Sequence, residues 1–512
     1  MKHGWVLVVV ALALVAAVFA ALPAPGAWAG SCTSLANGNW SDAATWGAGC
    51  SGTGGVPGSG DAVTVAHTVS LTAAASVGAG TVTVQSGAVL NLSSFALTAA
   101  SLTIDNGAEV QQGGTSTAPA GTITTRAYAP ESIYTFNGTQ VGLSGTTHPT
   151  YGNLNFAPTP SSAGTFGVSL NVAGNMTINL GSAQEVRFAT GTTARTHTIG
   201  GNLNIQNGIV VGSNGSSAAG TATVTIGRDL NITGGTFRGT NDAGNATFNI
   251  AGNLFVGGTW QQDDGSSAGV FAVNLDGASS SQSVGGAATF SFENLTLNNA
   301  LGCTLDRNVD VTGQLALTSG NITTGANTLI LTEAATTAGT GDVWGNVKRT
   351  GALATAKSYS FGNPNVSLNF TSATTMPTDV TINLAAGTPS GFANAVSRNY
   401  SITPSGGSDY SATVRLRYLD TELGSNVESQ LRLWRYDGAT WVDQGGAVDT
   451  TNNHVEVSGV TAFSPWAVSS GQSTAVTLRT LSAAPQGVAA ALPLAGLALL
   501  GGLAAFMRRL KA

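Results

Sequence analysis

The chain has 512 residues, enough for two or three domains, and only 9% of them are charged. Short alternating runs of Val, Ile, Leu and Thr recur along it, which excludes an intrinsically disordered chain because such chains are charged and poor in β-branched residues. The formal net charge is −6 and no basic block lies in the body of the chain, so nucleic acid is excluded as a partner.

The N-terminus has the pattern of a secretory signal peptide, predicted to span residues 1–29. A basic start at Lys2 precedes an apolar run, and Ala27-Trp28-Ala29 forms a cleavage site of the A-x-A type. An uncleaved N-terminal membrane anchor and lipid attachment at Cys32 are the alternatives. The signal pattern favours export of the chain with cleavage after Ala29.

Export would place the three cysteines of the chain in an oxidising compartment, where disulfides persist. Cys32 and Cys50 bracket one short loop, so the sequence predicts a disulfide between them. Cys303 then has no evident partner. The chain contains no CxxC and no Cys/His metal spacing, so neither a metal nor another cofactor is expected.

Residues 30–130 are predicted to form an N-terminal cap and the first coils of a β-solenoid. The motifs W-S-x-x-x-T-W and V-P-G-x-G-D-x-V-T-V stand near the start of this region, and short strands with polar or Gly turns follow. With Trp40, Trp46 and Asp61 among their most specific residues, these motifs resemble the start of G8-like modules and of many bacterial surface β-helix proteins. The resemblance implies a capped right-handed β-solenoid, and the tryptophans and disulfide would cover its end.

Residues 131–340 contain the clearest internal repeat, with a period of about 25 residues. The segments THTIGGNLNI, TVTIGRDLNI and TFNIAGNLFV align without gaps and begin at Thr196, Thr223 and Thr247. A period of this size predicts one solenoid coil per repeat, so aligned apolar residues would stack into ladders about 4.8 Å apart. A polar column would run beside them, its side-chain amides hydrogen-bonding along the axis. The predicted apolar ladders are Ile199, Ile226 and Ile250, and Leu203, Leu230 and Leu254; the polar column is Asn175, Asn202, Asp229 and Asn253.

Residues 341–470 contain more aromatic and charged residues, and their strands alternate more regularly. The segment LWRYDGATW contains Asp437-Gly438, a hairpin turn signal, and the region is predicted to be a β-sandwich. The stretches VSRNYSITPSG, RLRYLDTEL and VTAFSPWAV resemble a module found late in many secreted bacterial repeat proteins. That resemblance implies a non-catalytic surface module.

The C-terminus is predicted to consist of a linker (471–487), a transmembrane helix (488–507) and a basic cytoplasmic tail (508–512). The stretch VAAALPLAGLALLGGLAAFM is uncharged over a length sufficient to cross a bilayer. Because basic residues stay on the cytoplasmic side, the rest of the chain would lie outside. The segment resembles C-terminal sorting and anchoring signals of bacterial surface proteins, although it lacks their Pro-Glu-Pro and LPxTG motifs. A plain transmembrane anchor is therefore the simpler interpretation, and a buried core helix is the alternative.

The best candidates for catalysis are Asp263 and Asp264 beside Trp260, with Asp242 one coil earlier near Arg238. Glycoside hydrolysis needs two carboxylates across a groove, and a tryptophan can stack on a sugar ring. A solvated corner loop is the structural alternative. The Arg and Lys clusters of pectin-degrading enzymes are absent from the sequence.

Two further candidates have structural interpretations. His197 falls in the repeat column that Val224 and Phe248 also occupy, which indicates a wall residue of the coil. Asp420 and Glu422 have the residue types of a calcium site, but an exposed turn explains them as well.

The sequence thus predicts an all-β protein: a right-handed parallel β-solenoid followed by a β-sandwich, plus one C-terminal transmembrane helix. The expected function is that of a non-enzymatic structural or adhesive protein, a stalk anchored at the cell surface by its C-terminus. A carbohydrate-binding or polysaccharide-degrading β-helix protein is the alternative. Expected partners are the membrane, cell-envelope polysaccharide and other surface proteins. An enzyme should bring two carboxylates and a basic residue together on one groove face, whereas a stalk should show scattered charges.

Overall fold

Nearly all regular structure in the described residues is β-strand. Helical structure in the described part is limited to three short 3₁₀ helices, at Ala43–Thr45, Asp420–Glu422 and Glu428–Gln430. The computed structural model describes residues 29–471 except 120, 146–147, 160–161, 216–219, 266–268 and 288–289.

The predicted targeting segments fall outside the described residues. This applies to the signal peptide apart from Ala29, to the linker apart from Gly471, and to the transmembrane helix and basic tail. Within the described residues, no helix combines the length and apolar character needed to span a membrane.

The cap and first coils contain ten strands, and successive coils pair in parallel. Each strand is short because a Gly or polar corner ends it. The strands are β1 (Ser31–Thr33), β2 (Gly38–Asn39), β3 (Ala62–Val65), β4 (Thr68–Ser70), β5 (Ala75–Ser76), β6 (Thr81–Val84), β7 (Val89–Asn91), β8 (Leu97–Ile104), β9 (Glu109–Gln112) and β10 (Ile123–Tyr128).

The repeat region adds twenty-two strands that continue the parallel stacking. They are β11 (Ile133–Phe136), β12 (Asn153–Phe156), β13 (Gly164–Thr165), β14 (Asn171–Val172), β15 (Met176–Asn179), β16 (Glu185–Thr190), β17 (Arg195–Ile199), β18 (Leu203–Asn207), β19 (Ile209–Gly215), β20 (Thr221–Ile226), β21 (Leu230–Ile232), β22 (Thr236–Asp242), β23 (Asn245–Ile250), β24 (Leu254–Val256), β25 (Thr259–Gln261), β26 (Phe271–Leu275), β27 (Gln282–Gly286), β28 (Ser291–Asn298), β29 (Cys303–Leu305), β30 (Val309–Ser319), β31 (Ile322–Thr332) and β32 (Thr336–Gly339).

Parallel pairing joins these strands into stacks that run from coil to coil. The longest stack begins at β2 and continues through β4, β7, β9, β11, β12, β15, β18, β21, β24, β27, β29 and β31. A second stack runs from β14 through β17, β20, β23, β26, β28 and β30 to β32, and a third from β13 to β25. The result is a right-handed β-solenoid of about 12 turns, which confirms the predicted all-β parallel solenoid.

The apolar ladders lie in the interior of the coils. Ile199 pairs with Ile226 and Ile226 with Ile250, and none of the three is more than 1% exposed. The second ladder stacks in the same way and is equally buried; it consists of Leu203, Leu230 and Leu254. Because side chains alternate along a strand, outward-facing residues flank the buried ones. Most of these are polar, and Phe255, beside Leu254, is an exposed apolar exception.

The polar column hydrogen-bonds along the solenoid through its side-chain oxygens. The Oδ1 atom of Asn175 accepts from the backbone N–H of Asn202 (2.8 Å), Asn202 Oδ1 from the N–H of Asp229 (3.0 Å), and Asp229 Oδ1 from the N–H of Asn253 (2.7 Å). The expected amide-to-amide bonds are therefore replaced by side chain-to-backbone bonds. Only an acceptor oxygen is needed, so Asp occupies the column as readily as Asn.

Amide-to-amide bonds occur at neighbouring outward positions instead. The Asn231 amide donates to Oδ1 of Asn204 (3.0 Å), and the Asn274 amide donates to Oδ1 of Asn249 (2.7 Å). These positions face outward from the strands, where both the donor and the acceptor of each amide can be used.

Asp229 allows a direct test of the rule that the polar column needs only an acceptor oxygen at each position, here called the acceptor rule. Asp229→Ala should lower the free energy of unfolding by about 1–2 kcal/mol, because the N–H of Asn253 loses its acceptor. Asp229→Asn keeps an acceptor oxygen and should retain most of that stability. Chemical denaturation of both variants measures the difference, and equal losses would contradict the rule.

The rest of the described chain forms two antiparallel sheets, here called the antiparallel region. The first sheet has the order β33-β36-β37-β43-β39-β40, and the second β34-β35-β38-β42-β41. The strands are β33 (Val343–Thr350), β34 (Ser358–Phe361), β35 (Asn363–Ser372), β36 (Asp379–Ala386), β37 (Arg398–Ser405), β38 (Ser411–Arg417), β39 (Arg432–Tyr436), β40 (Trp441–Gly445), β41 (Ala447–Asp449), β42 (His454–Val460) and β43 (Pro465–Ser469).

Strand β33 belongs both to the solenoid and to the antiparallel region. It pairs in parallel with β31 of the last coil and antiparallel with β36. The first antiparallel sheet therefore continues from the end of the longest stack, so that end presents no row of unpaired backbone groups.

Buried ion pairs reinforce this junction. The carboxylate of Asp342, just before β33, accepts from Arg398 (2.6 Å) and Arg417 (2.7 Å). The Arg398 side chain is fully buried, bonds Glu422 through its Nε, and lies over the ring of Trp344 at 5.2 Å. The last coil and the antiparallel region are thus linked by groups distant in sequence.

Candidate functional site

The N-terminal cap is organised around a disulfide and a buried carboxylate. Cys32 and Cys50 are joined in a disulfide. Asp61 is fully buried and accepts from the backbone N–H groups of Gly30, Ser51 and Gly58 (2.8–2.9 Å). Burial alone would raise the pKa of Asp61, but hydrogen bonds from these residues outweigh it and hold the pKa below its ordinary value. Asp61 therefore holds the disulfide loop on the first coil.

The two tryptophans of the cap close the same end of the solenoid. Trp40 and Trp46 are buried with their ring centroids 5.1 Å apart, and the indole of Trp46 donates to the carbonyl of Trp40 (2.8 Å). Both rings are buried and the indole N–H of Trp46 is bonded within the cap, so the cap motif has a structural role.

The corner around Trp260 differs from the expected sugar-binding platform. Trp260 is only 7% exposed, and its indole donates to the carbonyl of Ser291 (2.7 Å). Its ring packs against Phe237 and Phe271, with centroids 4.8 and 5.5 Å away. Trp260 is a core residue of its coil, and its faces are covered by neighbouring rings rather than open to a sugar.

The same corner contains a carboxylate that sequence reasoning missed. Burial raises the pKa of Glu293, the nearby charge of Asp263 adds to the rise, and a hydrogen bond from the N–H of Phe271 (2.6 Å) opposes it. The nearby Arg238 donates to the side chains of Gln261 and Asn241. Glu293 stands in a weakly repeated segment, and no local pattern places it beside residue 263.

His197 lies in the coil wall, as its repeat column indicates. His197 is fully buried, and its Nδ1 accepts a hydrogen bond from the N–H of Leu170 (3.3 Å). The proton of the neutral ring is therefore on Nε2, which donates to the carbonyl of Phe188 (2.9 Å). Burial lowers its pKa to about 4. The ring is therefore neutral near pH 7, and both its nitrogens are used for structure.

Asp420 and Glu422 are both engaged with protein groups. Glu422 bonds Arg398 and the N–H of Leu419, and Asp420 accepts from the amide of Asn453 (2.8 Å). Among the described residues, no group of three or more His, Cys, Asp or Glu side chains is arranged to hold a metal ion. This geometry gives no support to a calcium site.

A cavity with aromatic walls lies in the antiparallel region and is here called the aromatic cleft. Its volume is about 560 Å³, within the range of small-ligand sites. Tyr436 and Trp441 line it, with centroids 5.4 Å apart, together with Pro389 and Pro465. Trp441 is fixed by a hydrogen bond from its indole to the carbonyl of Ser390 (3.1 Å).

Strand pairing brings the cleft residues together from distant parts of the sequence. Asn399 lies on β37, Pro465 on β43, Tyr436 on β39 and Trp441 on β40, four strands that are neighbours in one sheet. The sequence marks this region as aromatic-rich but does not reveal which aromatics share a surface, because the order of strands in the sheet differs from their order in the chain.

Polar side chains in the cleft have unused hydrogen-bonding capacity. Within the described part of the chain, the Asn399 amide, the hydroxyls of Ser390 and Thr440 and the phenol of Tyr436 make no hydrogen bond to protein. No charged side chain is among the described residues that line the cleft. The site therefore combines aromatic surface with free, uncharged donors and acceptors.

Comparison with known proteins identifies no relative: no family model, curated protein or solved structure matches the chain.

Proposed function

We propose that this chain is a non-enzymatic structural or adhesive protein of a cell surface. In this proposal the solenoid is a stalk, the two antiparallel sheets form a β-sandwich at its C-terminal end, and residues 488–507 anchor it in the membrane. The N-terminal signal pattern and the basic residues after the anchor support this orientation.

The observation that carries the proposal is a pair of uncharged outward columns on the second stack. Thr and Asn recur in these columns from coil to coil, with Ala272 as an exception, so this part of the surface is polar and repetitive. Such a face suits contact with another surface along its length rather than chemistry at one point. The two columns contain Thr196, Thr223 and Thr247, and Thr198, Thr225, Asn249, Asn274 and Thr296.

Surface display is tested by expressing the full chain and a truncation after Ser473 in a bacterial host. We expect the full chain to fractionate with the envelope and to be cut by protease added to intact cells. The truncated chain should appear in the medium. A full chain protected from external protease, or a truncation held by cells as firmly as the full chain, would contradict the proposal.

A polysaccharide-degrading enzyme is the second candidate, favoured by the raised pKa of Glu293 beside Asp263. The two candidates separate in one assay, the release of reducing ends from neutral and acidic polysaccharides by the full chain and by Glu293→Gln. The structural proposal expects no release from either. Activity in the parent that Glu293→Gln abolishes would establish the enzyme instead.

A further inference from the structure

We propose that the aromatic cleft binds an uncharged saccharide. This inference concerns a binding site in the antiparallel region and does not depend on surface display or on the role of the solenoid. The cleft therefore gives the chain a recognition function in addition to a structural one.

The first argument is the shape and composition of the cleft. A sugar ring has an apolar face of C–H groups and a rim of hydroxyls. Half-buried Tyr436 and the prolines supply apolar surface for the apolar face of the sugar ring. Trp441, held in place by its hydrogen bond to Ser390, forms part of the cleft wall. A cavity of about 560 Å³ has room for one or two sugar units.

The second argument is the chemistry of the free polar groups. The Asn399 amide offers both a donor and an acceptor, and the hydroxyls of Ser390 and Thr440 offer both as well. A ligand rich in hydroxyl groups can satisfy all of them. A proline-rich peptide has carbonyl acceptors but few donors, so it would leave the acceptor of Asn399 unmatched.

The third argument is electrostatic. An acidic glycan or a phosphate would need a cation in the cleft, and the described lining residues include none. Asp437, in the adjoining turn, uses its carboxylate to accept from the N–H groups of Ala439 and Thr440 (2.8 Å) and shapes the rim. The cleft therefore favours a neutral ligand.

The test uses the detergent-solubilised full chain, with tryptophan fluorescence and calorimetry as readouts. The probes are neutral oligosaccharides of glucose, mannose, galactose and N-acetylglucosamine, an oligogalacturonate and a polyproline peptide. We expect at least one neutral series to bind, and Asn399→Ala to weaken that binding about tenfold, the equivalent of one lost hydrogen bond. Tyr436→Ala should weaken it at least as much.

Tyr410→Ala is the matched control, because Tyr410 is also half-buried but stacks on Phe463 and is not among the residues that line the cleft. It should leave saccharide affinity unchanged. The Asn399 side chain is only partly buried and makes no hydrogen bond to protein among the described residues, so Asn399→Ala should keep the parent melting temperature even if Tyr436→Ala does not. Binding of polyproline or oligogalacturonate in preference to every neutral sugar would overturn the proposal. Failure of every neutral oligosaccharide to bind would overturn it as well, and so would equal saccharide affinities of the parent and Asn399→Ala.

Discussion

Ile226→Asp should lower the free energy of unfolding by about 4 kcal/mol or more, the largest single-residue effect expected in the solenoid. Ile226 is 1% exposed and is paired between Ile199 and Ile250 in the apolar ladder. A carboxylate at this position would be removed from water without a partner, and the packing of two neighbouring coils would be lost with it. Thermal unfolding followed by circular dichroism measures the effect.

Thr225→Asp is the matched control, because Thr225 is the preceding residue on the same strand and faces outward. The same charge placed there stays in water and should change stability only slightly. The contrast between the two positions tests the coil register itself, since a one-residue shift would exchange inward and outward side chains. Similar melting temperatures for Ile226→Asp and the parent would show that the register is wrong.

The ladder could be predicted because a solenoid repeats its local environment. Each coil buries the same column positions, so a sequence period translates directly into stacked neighbours. Ile199, Ile226 and Ile250 are consequently recognisable without a structure. The same logic places His197 in a wall, because its column is otherwise apolar.

The role of the polar column was only partly predictable. The repeat locates Asn202 and Asp229, but not the atoms that they bond. In the structure a side-chain oxygen reaches the backbone of the next coil, and this geometry depends on the tight Gly-containing corner before each residue. Side-chain direction at a corner does not follow from sequence spacing.

Trp260 shows why a surface role could not be inferred from residue type. A tryptophan next to two aspartates suggests a sugar platform, yet its indole is enclosed by rings from neighbouring coils. Those rings are contributed by residues 237, 271 and 292, and only the coil geometry brings them to one point. The aromatic cleft is the opposite case, a surface site that the sequence did not reveal. Its polar and aromatic residues are brought together by the order of strands in a sheet, in a region without sequence repeats.

The junction at Asp342 was not predicted, because its members come from four separated segments. Arg398 bonds a carboxylate 56 residues earlier in the chain. No periodicity relates these positions, and isolated charges in a strand are usually solvated. Arg349 and Arg398 are both fully buried, but the Arg349 guanidinium bonds the backbone carbonyls of Thr332, Ala335 and Ser360, whereas Arg398 pairs with two carboxylates.

Arg398→Met should destabilise the antiparallel region by about 3 kcal/mol. The change removes the partner of Glu422 and one of the two partners of Asp342, and it leaves those carboxylates in a poorly hydrated site. Methionine keeps much of the packing against Trp344, so the loss reports mainly on the ion pairs. Denaturant unfolding gives the free energy, and limited proteolysis of the segment around Glu422 shows whether the loosening is local.

Lys357→Met provides the matched control, because it breaks the Lys357–Glu333 pair, whose side chains are 45% and 30% exposed. An ion pair in water contributes little, so this variant should unfold almost like the parent. The double variant Arg398→Met/Asp342→Asn should lose less than the sum of the two single changes, because Asp342→Asn neutralises one of the two carboxylates that Arg398→Met deprives of a cation. Equal effects of Arg398→Met and Lys357→Met would show that the buried pairs do not stabilise the junction between the last coil and the antiparallel region.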